Sequence, residues 1–198
     1  MNYQVTLFQG RKRFKMNGRE HIVFATATAA GVITATQGVD IAFLSHPYIV
    51  VGATVLGSLL PDIDNTESTI GKVLFPIAIV IQKLFGHRMI THDVLIQIPL
   101  MIAAFTYAFV SGNPIVFGLA LGIVSHLFLD SLTKMGLPVG SFIWKEKRYS
   151  FSQVSAKYYV HLLPKCLTVK SGSFLSVVET LALSVGSFAA TSYLATLI

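Results

Sequence analysis

The chain has 198 residues, 53% of them hydrophobic and only 12% charged, with a mean hydropathy of +0.67 and a net charge of +6. A soluble domain carries about 25% charged residues, so this composition excludes an ordinary soluble globule and predicts one compact, all-α integral membrane bundle. The single cysteine, Cys166, excludes an intrachain disulfide and a thiolate metal site, and reads as an inert structural residue.

Residues 1–20 form a basic segment holding Arg11, Lys12, Arg13, Lys15 and Arg19. A basic start before an apolar run resembles a signal peptide, but the basic part is long, and Thr26, Thr28 and Thr34 dilute the apolar core. The better reading is a cytoplasmic flank of a membrane domain spanning residues 21–198.

Six apolar stretches follow: Ile22–Thr36, Ile41–Leu60, Val73–Phe85, Val94–Val110, Ile115–Leu129 and Phe174–Ile198. A spanning helix needs about 20 apolar residues. Five stretches are therefore expected to span. The third is short, broken by Pro76 and polar at Gln82 and Lys83, and is expected to be re-entrant or interfacial. Gly38-Val39-Asp40, the polar connector Pro61–Gly71 and the turn Ser111-Gly112-Asn113-Pro114 separate them. Between the site-bearing part, 21–133, and the last span, 174–198, lies a basic loop, 134–172, with Lys134, Lys145, Lys147, Arg148, Lys157, Lys165 and Lys170. Its Trp144, Tyr149, Phe151, Tyr158 and Tyr159 suit a membrane interface, and a plain cytoplasmic loop is the alternative. Basic segments face the cytoplasm and favour anionic lipid, and no nucleic-acid module accompanies them.

Only nine Asp and Glu and six His are present, and seven of these fifteen fall into four clusters: His21, Asp62 with Asp64, His87 with His92, and His126 with Asp130. An ionisable group at membrane depth costs about 2.5–3.5 kcal/mol on insertion scales, so such clustering marks a site. With a cytoplasmic N-terminus and a re-entrant third stretch, all seven lie at cytoplasmic ends of their segments. His126 and Asp130, four apart, share a helix face. Asp62 and Asp64 repel one another unless a cation or proton neutralises them. His87 and His92 are spaced for a turn leading into a helix, with Arg88 between them as a donor suited to phosphate, or else as an interfacial cation. His46 and His161 stand apart and read as bland.

Nitrogen and oxygen donors without sulfur suit Zn²⁺ first, with Mn²⁺ or Fe²⁺ as alternatives, in a one- or two-ion site built from His21, Asp62, Asp64, His87, His92, His126 and Asp130. Such sites activate water for phosphoester hydrolysis. The expected catalytic roles are charge stabilisation by Arg88 and proton transfer by Asp64 or Asp130, on a phospholipid or other lipid-linked phosphoester. A metal or proton transporter, or a non-catalytic protein with a structural metal, are the rival readings.

The motifs His21-Ile-Val-Phe, Leu59-Leu-Pro-Asp-Ile-Asp64, Ser68-Thr-Ile-Gly71, Gly86-His-Arg, Thr91-His92 and Gly122-Ile-Val-Ser-His126-Leu-Phe-Leu-Asp130-Ser-Leu-Thr133, running on through Gly136-Leu-Pro138 to Trp144, occur in order. In these the chain resembles the LexA-regulated, membrane-bound metal-dependent hydrolase family (YdjM-like). The resemblance implies an inner-membrane protein whose motif His and Asp residues are metal ligands. Two positions depart from the family pattern: Met89 replaces the usual Gly after His-Arg, and Asp93 replaces the usual Ser after Thr-His. Asp93 thereby becomes either an extra ligand or an orienting group.

Overall fold

The computed structural model describes residues 18–37, 39–85, 90–140, 159–164, 168 and 174–195. Residues 1–17, Gly86 to Met89 and most of the basic loop lie outside them, so the expectations for His87, Arg88, Met89, Trp144, Tyr149, Phe151, Tyr158 and Cys166 do too.

The described chain is mostly helical. Its helices are α1 (Gly18–Ala35), α2 (Pro47–Gly57), α3 (Thr69–Val73), α4 (Phe75–Phe85), α5 (Val94–Ser111), α6 (Pro114–Leu132) and α7 (Phe174–Ala195). Short 3-10 turns at Ala42–Ser45, Leu60–Asp64 and Ile90–His92 join them. The basic loop adds what an all-α reading omits, an antiparallel pair of two-residue strands, β1 (Leu137–Pro138) and β2 (Tyr159–Val160), with Leu137 opposite Val160.

Among the described residues α5 and α6 are the helices long and apolar enough to cross a membrane. Their boundaries follow local chemistry. Asp93 caps α5 by accepting the Leu95 N–H at 2.9 Å, and Gly112 ends it in the left-handed conformation at φ 66°. The Asn113 side chain then accepts from Ile115 and Val116, and Pro114 opens α6.

The stretch 41–60 departs from expectation. It is not one helix but a 3-10 turn followed by the eleven-residue α2. Pro47 is the cause: it lacks an N–H and disfavours helical backbone at His46, so the helix restarts at Pro47. Eleven residues extend about 16 Å, well short of a hydrocarbon core of about 30 Å. The eleven-residue α4 is equally short, as its sequence led one to expect. Phe75, Ile77, Val80 and Leu84 of α4 are exposed, as are Leu95, Ile98, Ile102 and Phe109 of α5, an apolar exterior suited to lipid.

Two interfaces organise the interior, α1 on α7 and α2 on α6. The second is unusually close. A Cβ added to Gly118 would lie 2.7 Å from the Val50 carbonyl oxygen, and one added to Gly122 only 2.1 Å from that of Thr54. From the other side, a Cβ on Gly57 would lie 2.3 Å from the Leu119 carbonyl oxygen. Gly118 and Gly122 stand four apart on one face of α6, the small-residue spacing by which apolar helices bring their backbones together. Beyond this seam, Phe43, Val50, Ala108 and Phe117 form a core, with the Phe43 and Phe117 rings stacked at 4.2 Å.

Gly122→Ala therefore forces α2 and α6 apart. It is expected to destabilise the protein by about 2–3 kcal/mol, in the range of core overpacking, measured by reversible unfolding in mixed micelles. Gly52→Ala, where an added Cβ in α2 meets nothing within 4 Å, is the comparison for intrinsic helix propensity and should stabilise by up to about 1 kcal/mol.

Candidate metal centre

His21 lies in the first turns of α1. Asp62 and Asp64 lie in the turn after α2, His92 in the turn before α5, and His126 and Asp130 near the end of α6. All sit at the same end of the bundle, and their side chains meet.

Local structure holds each group. In the Asp62 turn, Ser68 donates its hydroxyl to the Asp62 carbonyl at 2.8 Å and accepts the Gly71 N–H at 2.8 Å, capping α3 and fixing the connector. Beside His21, the buried Glu20 carboxylate accepts from Ser176 Oγ at 3.0 Å, tying α1 to α7. Thr133 caps α6 by donating its backbone N–H and its hydroxyl to the Asp130 carbonyl.

His126 contacts the Ser58 carbonyl through Nδ1 at 2.6 Å. A carbonyl only accepts, so Nδ1 carries the proton and Nε2 turns its lone pair inward. That Nε2 lies 3.2 Å from His92 Nε2 and 3.7 Å from Asp130 Oδ2. His92 Nε2 lies 3.4 Å from Asp130 Oδ2 and 3.9 Å from Asp62 Oδ1. His21 stacks on His126 with ring centroids 3.7 Å apart, its Nε2 3.8 Å from Asp130 Oδ1.

These carboxylate–imidazole separations exceed an ordinary hydrogen bond, which runs about 2.7–3.2 Å. Donors about 2.0–2.2 Å from a tetrahedral metal stand about 3.3–3.5 Å apart; His92 Nε2 and Asp130 Oδ2, at 3.4 Å, meet that spacing, and the other carboxylate contacts, at 3.7, 3.8 and 3.9 Å, lie somewhat beyond it. Two groups have all their donor atoms within 4.8 Å of one another, close enough to gather on an ion: His21, His126 and Asp130, and Asp62, His92 and His126. His126 has one nitrogen to offer, because Nδ1 is bonded to Ser58, so it serves one ion. Asp130 presents Oδ1 to His21 and Oδ2 to His92 and His126, so it could contribute an oxygen to either group. The donor chemistry thus fits one nitrogen- and oxygen-ligated divalent ion, or two sharing Asp130.

His21, His92, His126, Asp64 and Asp130 are essentially inaccessible, whereas the Asp62 side chain is 14% exposed. Among these side chains, Asp62 marks the open edge. Asp64 lies on the other side of His92, its Oδ2 3.8 Å from Nδ1, and accepts a hydrogen bond from Thr91 Oγ1. Thus five of the seven expected ligands, His21, Asp62, His92, His126 and Asp130, come together; Asp64 stands behind His92 instead, and His87 lies outside the described residues. His161 bonds the Lys134 carbonyl at 3.2 Å, and His46 precedes α2, so neither joins the cluster.

Sequence reasoning missed the Ser58 carbonyl, a backbone group without a residue signature. It also missed Thr91, although its place beside His92 was a signal. The role of Asp93 is now specific. It is fully buried, and its Oδ1 accepts from Leu95 N and, at 3.1 Å, from Gly140 N, joining α5 to the segment after β1. Asp93→Ala should cost about 1–2 kcal/mol through loss of this cap, seen as a lower unfolding midpoint. Metal content should be unchanged.

The "YdjM inner membrane protein" family model matches residues 16–197. "Uncharacterized protein YvsG" of Bacillus subtilis is 33% identical over 124 residues, 62% of this chain and 71% of that protein. "Inner membrane protein YdjM" of Escherichia coli and that of Shigella flexneri are each 32% identical over 128 residues, 63% of this chain. The match spans 64% of those two relatives' length. No solved structure matches. With nearly its whole length matched, the chain belongs to the YdjM inner membrane protein family.

Proposed function

We propose that this inner-membrane protein is a metal-dependent hydrolase that cleaves a phosphoester, on a phospholipid or another lipid-linked phosphate, at the cytoplasmic face. The observation that carries the reading is the convergence of His21, Asp62, His92, His126 and Asp130, from four separate chain segments, into one cluster of metal-ligand atoms.

The proposed topology has a cytoplasmic N-terminus and five passes: α1, the 41–60 stretch, α5, α6 and α7. The chain between Asp64 and Thr91 dips into the bilayer and returns. The hydrogen bond between those two residues supports the return, because both ends of the excursion lie at one point. The basic segments 1–20 and 134–170 join helices at this same end, which supports its cytoplasmic placement.

A bound divalent ion, Zn²⁺ first with Mn²⁺ or Fe²⁺ as alternatives, would supply Lewis acidity toward a phosphoryl oxygen and activation of water. The side chains do the rest. Asp62, at the open edge, faces the entering substrate. His92 and His126 direct fixed nitrogen lone pairs inward. Asp130 couples the two donor groups, both its oxygens facing the cluster as ligands, and would transfer protons only through an oxygen not committed to metal. Arg88, assigned from sequence, balances charge developing on phosphoryl oxygens. Lipids are the proposed partners, and no nucleic-acid role is proposed.

Near-complete burial of four of the donors favours a second reading, a closed structural metal site. The two are separated by measuring metal content by mass spectrometry, together with hydrolysis of a panel of lipid phosphoesters. Detergent-purified wild type would be compared with Asp62→Ala and His126→Ala. A hydrolase should carry about one or two equivalents of metal, lose them in His126→Ala, and lose at least about 100-fold in turnover in both variants. Stoichiometric metal without turnover of any phosphoester would establish the structural reading. Folded, unchelated protein without metal would dismiss both and direct attention to ion flux.

A further inference from the structure

We propose that Thr91 is a positioning residue linking Asp64 to the back of His92, so that the two aspartates of Asp62-Ile63-Asp64 do different work. Asp62 faces the metal position, and Asp64 acts on it through Thr91 and His92. This inference rests on the metal reading above and deepens it.

The two nitrogens of an imidazole point away from each other, and the two aspartates lie on opposite sides of this ring. Asp62 Oδ1 is 3.9 Å from Nε2, while Asp64 Oδ2 is 3.8 Å from Nδ1. Thr91 Oγ1 fills the second gap. It donates to Asp64 Oδ2 and stands 3.0 Å from His92 Nδ1. The proton inventory sets the direction of this chain. An ionised Asp64 only accepts, so the single hydroxyl proton of Thr91 goes to it. Toward His92 the hydroxyl oxygen can then only accept, so Nδ1 carries the ring proton and Nε2 presents its lone pair to Asp62, His126 and Asp130.

His126 reaches the same state by a different route, through the Ser58 carbonyl. Both imidazoles are therefore locked from behind as Nε2 donors. A carboxylate relayed to the rear nitrogen also raises ligand basicity, and removing such a partner weakens metal binding by about 10–100-fold. Thr91 is itself held: Gln97 Nε2 donates to its carbonyl at 3.0 Å, and the next turn is fixed by the Asp93 cap. A β-branched residue restricts the hydroxyl to few rotamers, which suits this role.

The test is zinc titration of the chelator-stripped, full-length protein in detergent. Thr91→Val and Asp64→Asn should each weaken zinc binding about 10–100-fold. Thr91→Ser should restore most of the affinity, since it keeps the hydroxyl. The double variant Thr91→Val/Asp64→Asn should bind no worse than the weaker single one, because both break the same chain. Thr91→Val combined with Asp62→Asn should instead multiply the two losses. Wild-type affinity in Thr91→Val, failure of Thr91→Ser to rescue, or multiplicative losses in the Thr91/Asp64 pair would each overturn the proposal. If Thr91→Val does not fold, undiminished affinity in Asp64→Asn overturns it equally. Wild type that binds no zinc, manganese or iron removes the metal reading itself, an outcome distinct from all of these.

Discussion

The site depends on how closely α2 and α6 approach. An imidazole on α6 can reach a carbonyl of the last turn of α2 only if nothing bulkier than hydrogen separates the two backbones. Gly57, Gly118 and Gly122 meet that condition at successive levels of the seam. The Ser58 carbonyl belongs to a helix end, where carbonyls lack intrahelical partners, and His126 satisfies it. One steric fact thus solves two problems: an orphan acceptor in an apolar setting finds a donor, and a ligand acquires a fixed tautomer. In a lipid environment, where burial of apolar surface gives helices little drive to associate, close packing of this kind is what brings them together.

Electrostatics then sets the terms of the site. His21, His92, His126, Asp64 and Asp130 are withdrawn from solvent within a few ångströms of one another. If His92 holds its proton on Nδ1 as proposed, two imidazole lone pairs 3.2 Å apart and beside a carboxylate are mutually unfavourable without a positive charge between or beside them. A proton or a metal ion relieves that conflict. The spacing leaves room for a metal, because the carboxylate contacts, at 3.4 to 3.9 Å, are longer than hydrogen bonds.

Much of this was legible in the chain. The turn signals at Ser111–Pro114 and the spacing of His126 and Asp130 predict α5, α6 and a shared helix face, and all three are present. The polar, Pro-broken character of residues 73–85 predicts a short segment, re-entrant or interfacial, and its helix is the eleven-residue α4. Hydropathy could not show how Pro47 divides the 41–60 stretch, because an apolar run reads the same whether its backbone is continuous or interrupted. The strand pair in the basic loop was equally invisible: two residues carry no periodicity, and Leu137 meets Val160 only through tertiary folding. The spacing of Gly118 and Gly122 was readable as a packing signal, but its partner was not, since which helix faces it is a property of the fold. Asp64 and Asp62 look alike in sequence. Only the position of the His92 ring between them distinguishes the two.

The distribution of exposure around the cluster bears on catalysis. A purely structural site gains from closing every approach, and most of these donors are closed. Asp62 is the exception, and its place explains why: it sits in a 3-10 turn between α2 and the α3–α4 excursion, outside the tight α2–α6 seam. The rigid side of the site, His126 and Asp130, is therefore anchored on a long helix, while its open side is carried by a turn held by Ser68. A preorganised ligand wall facing a more accessible edge is the arrangement that lets a substrate approach without loosening the ligands. The exposed apolar faces of α4 and α5 suit contact with lipid, as befits a family of inner-membrane proteins.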